Sequence, residues 1–372
     1  MRGGPGQLLA GRYRLTDRPE LLRALAVDDR TGESVLLRAL ELPALLTTGQ
    51  DLGGEVPAHA DRLVRRVAAV GSSAPTGHPR LLRGLGAFVE GELLWTVEER
   101  SGAMTLADLV AAGPVPPYRA AELAADLAGA LRALHEDGLV HGNLTPESVL
   151  VCEDGAAMLG GLLSGVAQEA LAEDLGGPGG RHRYDVRATL VGPVAERWPL
   201  DGGPTGDCWA LGVLVQRLVT GRSPFPDGGV PELVSAVREG RREPAAVCGP
   251  LAPLVERLLQ PDPSLRPTAE EVRRELAALL AGAPEPVEET ARALVLRPEA
   301  PLVRRRRGRG GGRGRPEAVV GANVEVGAGV GAGRPDEARP PRIPPALLGP
   351  LLVGGVFLLL VLGVTAVVLF AG

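Results

Sequence analysis

Lysine is missing from this 372-residue chain: all 40 of its cationic side chains are arginine, set against 45 acids. That absence excludes a Schiff-base lysine, a phosphate-binding loop ending in Gly-Lys, and any compact ammonium charge in a site. Aromatic residues make up 3%, isoleucine occurs once (Ile343) and asparagine twice (Asn143 and Asn323), whereas Gly reaches 52 and Pro 34. Three scattered cysteines, Cys152, Cys208 and Cys248, form no Cys-x-x-Cys pair and no metal-ligand spacing. They read as reduced thiols of a cytosolic compartment, small core hydrophobes rather than a disulfide framework.

Charge divides the chain. Residues 1–283 carry 28 Arg against 37 acids, and residues 284–345 carry 12 Arg against 8 acids. The second stretch is rich in Gly and Pro, cannot bury a core, and reads as a disordered juxtamembrane linker over 282–345. Its run RRRRGRGGGRGR holds Arg304, Arg305, Arg306, Arg307, Arg309, Arg313 and Arg315, with no acid among them. Beyond it, residues 346–371 are almost wholly apolar. As a helix that segment would extend roughly 39 Å at about 1.5 Å per residue, against about 30 Å of hydrocarbon. It is expected to be a single transmembrane helix. Arg339 and Arg342 precede it, so the positive-inside rule places the rest of the chain in the cytoplasm, with the protein at the cell membrane. The first fifteen residues have no long apolar core, and no cleaved leader is expected.

The remainder changes its periodicity part-way. Short strands are predicted at Tyr13–Leu15, Arg23–Val27, Ser34–Leu40, Ala87–Val89 and Leu93–Val97, with one helix at Asp61–Val70. After Thr105 apolar residues recur at spacings of three and four, predicting helices at Tyr118–Asp137, Trp209–Val219 and Ala269–Leu280. A small β-rich lobe therefore precedes a larger helical one.

Within the helical part, the stretch from Gly138 to Val151 (GLVHGNLTPESVLV) resembles the catalytic loop of protein kinases, whose pattern is His-Arg-Asp-Leu-x-x-x-Asn. Asp207-Cys208-Trp209-Ala210-Leu211-Gly212 resembles the start of that family's buried-Asp helix, and Asp262–Thr268 (DPSLRPT) its late Arg-Pro signature. Order and spacing agree, and bacterial Ser/Thr kinases are the nearest likeness. The resemblance implies an α+β, bilobal protein kinase-like fold over 11–281, a small β-rich N-lobe followed by a helical C-lobe. It also implies structural roles. Asp207 would hold the catalytic-loop backbone, His141 would pack as a spine residue, and Glu196 would pair with Arg266. Glu98 and Glu99 would form a vestigial hinge able to accept an adenine through backbone groups.

Against that pattern several chemical positions are altered. The glycine-rich phosphate loop is replaced by Thr16–Leu22 (TDRPELL), which contains no glycine. Arg38 stands where the family places its phosphate-binding lysine. Asn143 replaces the catalytic Asp, Ser148 the second metal-binding Asn, and Gly161 the Asp of Asp-Phe-Gly. An amide has no useful basicity, and magnesium favours carboxylate oxygens. The expectation from these residues is a catalytically inactive homologue, a membrane-anchored pseudokinase acting as scaffold or regulator. ATP would bind at most without turnover, magnesium is not expected, and the partner would be an unidentified cytoplasmic or membrane protein. The alternative is an active, atypical Ser/Thr protein kinase-like transferase binding ATP. A third reading gives the basic linker a role against anionic lipid or, with no interleaved aromatic to stack on bases, less favourably against nucleic acid. Thr290, the only Ser or Thr between Gly282 and Pro345, is the candidate phosphorylation site there.

Overall fold

The computed structural model describes residues 4–17, 23–42, 56–75, 77–100, 103–176, 181–198, 200, 203–226 and 228–284. All lie in the first of the chain's two units, Met1–Glu299. The arginine-rich run, Thr290, the apolar segment 346–371 and most of the linker lie outside the described residues, as does most of Thr16–Leu22. Among the described residues no helix is long and apolar enough to cross a membrane.

Six antiparallel strands make the small lobe: β1 (Leu8–Leu9), β2 (Tyr13–Leu15), β3 (Arg23–Asp28), β4 (Ser34–Glu41), β5 (Gly84–Glu90) and β6 (Leu93–Glu99). They pair in the order β1-β2-β3-β4-β6-β5. Alternation along β3 buries Ala24, Ala26 and Asp28, as a strand with one packed face requires. Tyr13, Phe88 and Trp95 stack at centroid spacings of 5.4 and 6.3 Å, so three of the chain's few aromatics form one ladder across the sheet. The turn after β3 is held by Asp28, which takes the Arg12 guanidinium through both carboxylate oxygens; that pairing holds its carboxyl below the usual range. Helix α1 (Val56–Ser73) packs against this lobe and is longer at both ends than the predicted Asp61–Val70.

A second small sheet, β7 (Ala103–Thr105), β8 (Val149–Cys152) and β9 (Ala157–Leu159), lies at the start of the helical lobe. Helix α2 (Leu106–Ala112) opens on a reciprocal cap between Thr105 and Asp108, which satisfies two otherwise orphaned helix donors. Helix α3 (Pro117–Glu136) runs through the core and buries nine residues from Ala120 to Leu134. Then follow α4 (Leu162–Gly176), α5 (Arg181–Val191), α6 (Pro204–Thr220), α7 (Val230–Glu239), α8 (Ala252–Leu258) and α9 (Ala269–Ala281). In α6 every residue from Asp207 to Gln216 is buried, and Gly221 closes it at a φ of 77°. Cys208 and Cys248 are buried in this lobe, and burial pushes their thiols up to about 12 and about 11, leaving them unreactive.

Helices α2, α4, α5, α7 and α8 have no counterpart among the helices that periodicity predicts. For α4 the reason is visible: Leu162, Leu163, Gly165, Ala167, Ala170, Leu171 and Ala172 are all buried, so no single apolar stripe marks it. It begins immediately after Gly161.

Candidate active site

The loop between α3 and β8 is held from below by Asp207, in the first turn of α6. Its carboxylate accepts the amides of His141 at 2.9 Å and Gly142 at 2.8 Å, and His135 Nε2 lies 2.9 Å from the same group. His135, in the last turn of α3, was missed in the sequence; its place six residues before His141 was the available signal. His141 is fully buried. Its Nε2 meets Gly160 O at 3.0 Å and the Asn143 amide donates to its Nδ1 at 3.3 Å. A ring with one acceptor and one donor facing it is a neutral imidazole carrying its proton on Nε2. Burial agrees, holding its pKa below the ordinary histidine value.

Asn143 is built into this arrangement as an amide. Its Nδ2 donates to Gly161 O at 3.1 Å, and its Oδ1 accepts from Arg197. A carboxylate at this position would have no proton to give Gly161 O. Gly161 has a φ of 85°, and a Cβ there would come within 2.7 Å of Asn143 Nδ2, so no side chain fits while Asn143 is seated in this way. Ser148 closes the loop locally, its hydroxyl accepting from Thr145 N and donating to Thr145 O, both at 2.9 Å.

Glu98 lies near the end of β6. Its side chain is buried: Oε1 accepts from the Gly161 amide at 2.6 Å and Oε2 meets Arg38 Nε at 3.4 Å. The alternation of β6, with Thr96 and Glu98 facing one way, turns this carboxylate inward, while Glu99 accepts from Arg83 N at 2.9 Å. Arg38, on β4, reaches across to Glu147 O at 3.1 Å, and its Nη2 is buried with no hydrogen-bond partner. A continuous polar chain therefore runs from Arg38 through Glu98, Gly161 and Asn143 to Arg197.

Glu196 and Arg266 do not pair. Glu196 is met by Arg217 Nε at 2.8 Å, and burial raises its pKa despite that partner. Arg266 instead donates to the carbonyls of Gln260, Thr205 and Pro261 and lies over the Trp209 ring at 5.0 Å. The guanidinium from α6 is nearer because α6 presents Arg217 on the face that packs on the turn Ala195–Arg197. Among the described residues no group of three or more His, Cys, Asp or Glu side chains could hold a metal ion. The two positions that carry magnesium in the resembled pattern are a hydroxyl, Ser148, and a glycine, Gly161, and this donor set does not fit it.

The protein kinase domain family matches residues 66–276. The chain belongs to that family. This kinase domain is 32% identical over 285 residues to the serine/threonine-protein kinase PkaA of Streptomyces coelicolor, an overlap of 76% of this chain and 49% of the relative. It is 30% identical over 217 residues to the serine/threonine-protein kinase pkn2 of Myxococcus xanthus, with 54% and 25% covered. With the serine/threonine-protein kinase PAK mbt of Drosophila melanogaster it shares 26% over 208 residues, covering 52% and 30%. The chain thus spans about half or less of the length of these relatives. They are named serine/threonine-protein kinases, and this corrects the expectation that the kinase domain is not an enzyme: its family framework points to a kinase. That expectation judged the chain by the phosphate loop and four further positions, whereas the likeness extends through residues 66–276.

Proposed function

We propose that this chain is an atypical Ser/Thr protein kinase-like transferase that takes ATP beside Arg38. The observation that carries this reading is the buried, unpartnered Nη2 of Arg38, on the strand where the family holds its phosphate-binding cation. A buried guanidinium nitrogen without an acceptor costs free energy that a phosphate oxygen would recover, and arginine's fork suits phosphate. ATP would supply the phosphoryl group; Arg38 would bind it and Glu98 would orient Arg38 and the Gly161 amide. Asn143 is an orienting amide rather than a base, and no step is assigned to magnesium because the donor set does not fit it.

The apolar run 346–371 would tether the domain at the cytoplasmic face of a membrane. Arg304–Arg315 would lie within reach of anionic headgroups, each basic residue contributing about 1 kcal/mol near an acidic leaflet. Protein partners would be met at that surface.

The test is transfer of labelled γ-phosphate from ATP to casein by the purified full chain, across a panel of divalent ions and with chelator. Transfer above background is expected, reduced at least tenfold in Arg38→Met. Absence of transfer under every condition, or transfer indifferent to Arg38→Met, would overturn the reading.

A further inference from the structure

A cavity of about 680 Å³ opens between α1, the catalytic loop, α4, α5 and the turn Ala195–Arg197. It is not the cleft beside Arg38. The backbone from Gly138 to Gly142 forms one wall, and four guanidiniums line it: Arg66 from α1, Arg183 and Arg187 one helical turn apart on α5, and Arg197 from the turn. Among the described residues Glu169 is the only carboxylate in the lining. Glu169 and Glu173 between them pair with Arg66, Arg183 and Arg187. Arg197 has no such partner among the described residues. It donates to the neutral amide of Asn143, and its Nε is buried without a hydrogen-bond acceptor. Burial lowers its pKa to about 10, against the raising fields of Glu147 and Glu196.

Among the described residues the lining carries four guanidiniums and one carboxylate, an excess of cations around a cavity of small-ligand size. The excess comes from planar forks, which match tetrahedral phosphate oxygens in pairs. We propose that this cavity binds a small phosphate monoester as its dianion, with Arg197 as the deepest anchor. Such a ligand competes with Asn143 for Arg197. Occupancy therefore loosens the polar chain at Asn143 and couples this cavity to the loop that Asn143 belongs to.

The experiment is isothermal titration of the full chain with glycerol 3-phosphate and, separately, with inorganic phosphate. Saturable 1:1 binding of glycerol 3-phosphate is expected at pH 7.5. It should be at least tenfold weaker in Arg197→Gln and Arg187→Gln, and unchanged in Arg238→Gln, an exposed arginine on α7. Affinity should fall at pH 5.5, since the second phosphate proton binds near pH ~6. Arg38→Met should leave it intact, which separates this cavity from the proposed nucleotide cleft and from the proposal that rests on it. If Arg197→Gln does not fold, Arg187→Gln and Arg66→Gln read the same cavity. The proposal is overturned by no saturable binding, by binding that survives these substitutions, by loss in Arg38→Met, or by inorganic phosphate binding more tightly than the monoester.

Discussion

His141 shows how a single residue couples the loop to pH. Its two ring nitrogens are committed to Gly160 O and the Asn143 amide, and burial holds its pKa below the ordinary value of 6.5. His78 is shifted the same way, by partial burial and by the charges of Arg132 and Arg80. In the unfolded chain both would protonate near pH ~6.5. The unfolded state then binds more protons than the folded state, so stability is complete above that value and is lost as pH falls below it. Each histidine adds a slope of up to about 1.4 kcal/mol per pH unit in that window. Denaturant unfolding of His141→Gln between pH 7.5 and 5.5 should show a shallower loss than wild type, by about one proton. Equal slopes would mean that His141 is protonated in the fold.

At the scale of elements, α4 decides how the site is closed. Leu163, fully buried, packs with Leu63 and Val67 of α1 and with Leu94 of β6. Gly84 at the start of β5 makes room for it, since a Cβ there would stand 2.7 Å from the Leu163 side chain. On its other side α4 approaches the catalytic loop so closely that a Cβ on Gly165 would lie 2.0 Å from His141 O. One apolar side chain thus clamps the helix between the lobes. Leu163→Ala should cost about 2–5 kcal/mol, the range for an emptied leucine site, read as a lower denaturant midpoint. It should also speed proteolysis within α4 before global unfolding. Gly84→Ala should destabilise too, by about 1–3 kcal/mol, because the added methyl overpacks the same contact. A neutral Gly84→Ala would show that Leu163 has other room.

At the scale of the whole molecule, the proposed tether makes a separate prediction. Deleting residues 346–371 should move the protein from the membrane fraction to the supernatant, read by fractionation and blotting. Replacing the seven arginines of Arg304–Arg315 with glutamine in that truncated chain should weaken its flotation with acidic vesicles, but not with neutral ones. A truncated chain that still sediments with membrane would refute the tether.

Strands β2 to β6 and helices α1, α3, α6 and α9 were legible because the periods of two and of three to four are written locally, as are the loop from Gly138 to Val151 and the Arg-Pro signature. The sequence alone also established that no lysine could serve at any site. The tertiary structure decided what those side chains do. Glu98 turns inward because β6 is held in register between β4 and β5. Glu196 meets Arg217 rather than Arg266, and Arg197 reaches Asn143 across 54 positions of chain. Helix α4 has no stripe to announce it, because its neighbours cover it on several sides. Local periodicity is short-ranged chemistry and can be read along the chain. Which guanidinium meets which oxygen depends on how distant elements pack, and that is settled only when the core closes.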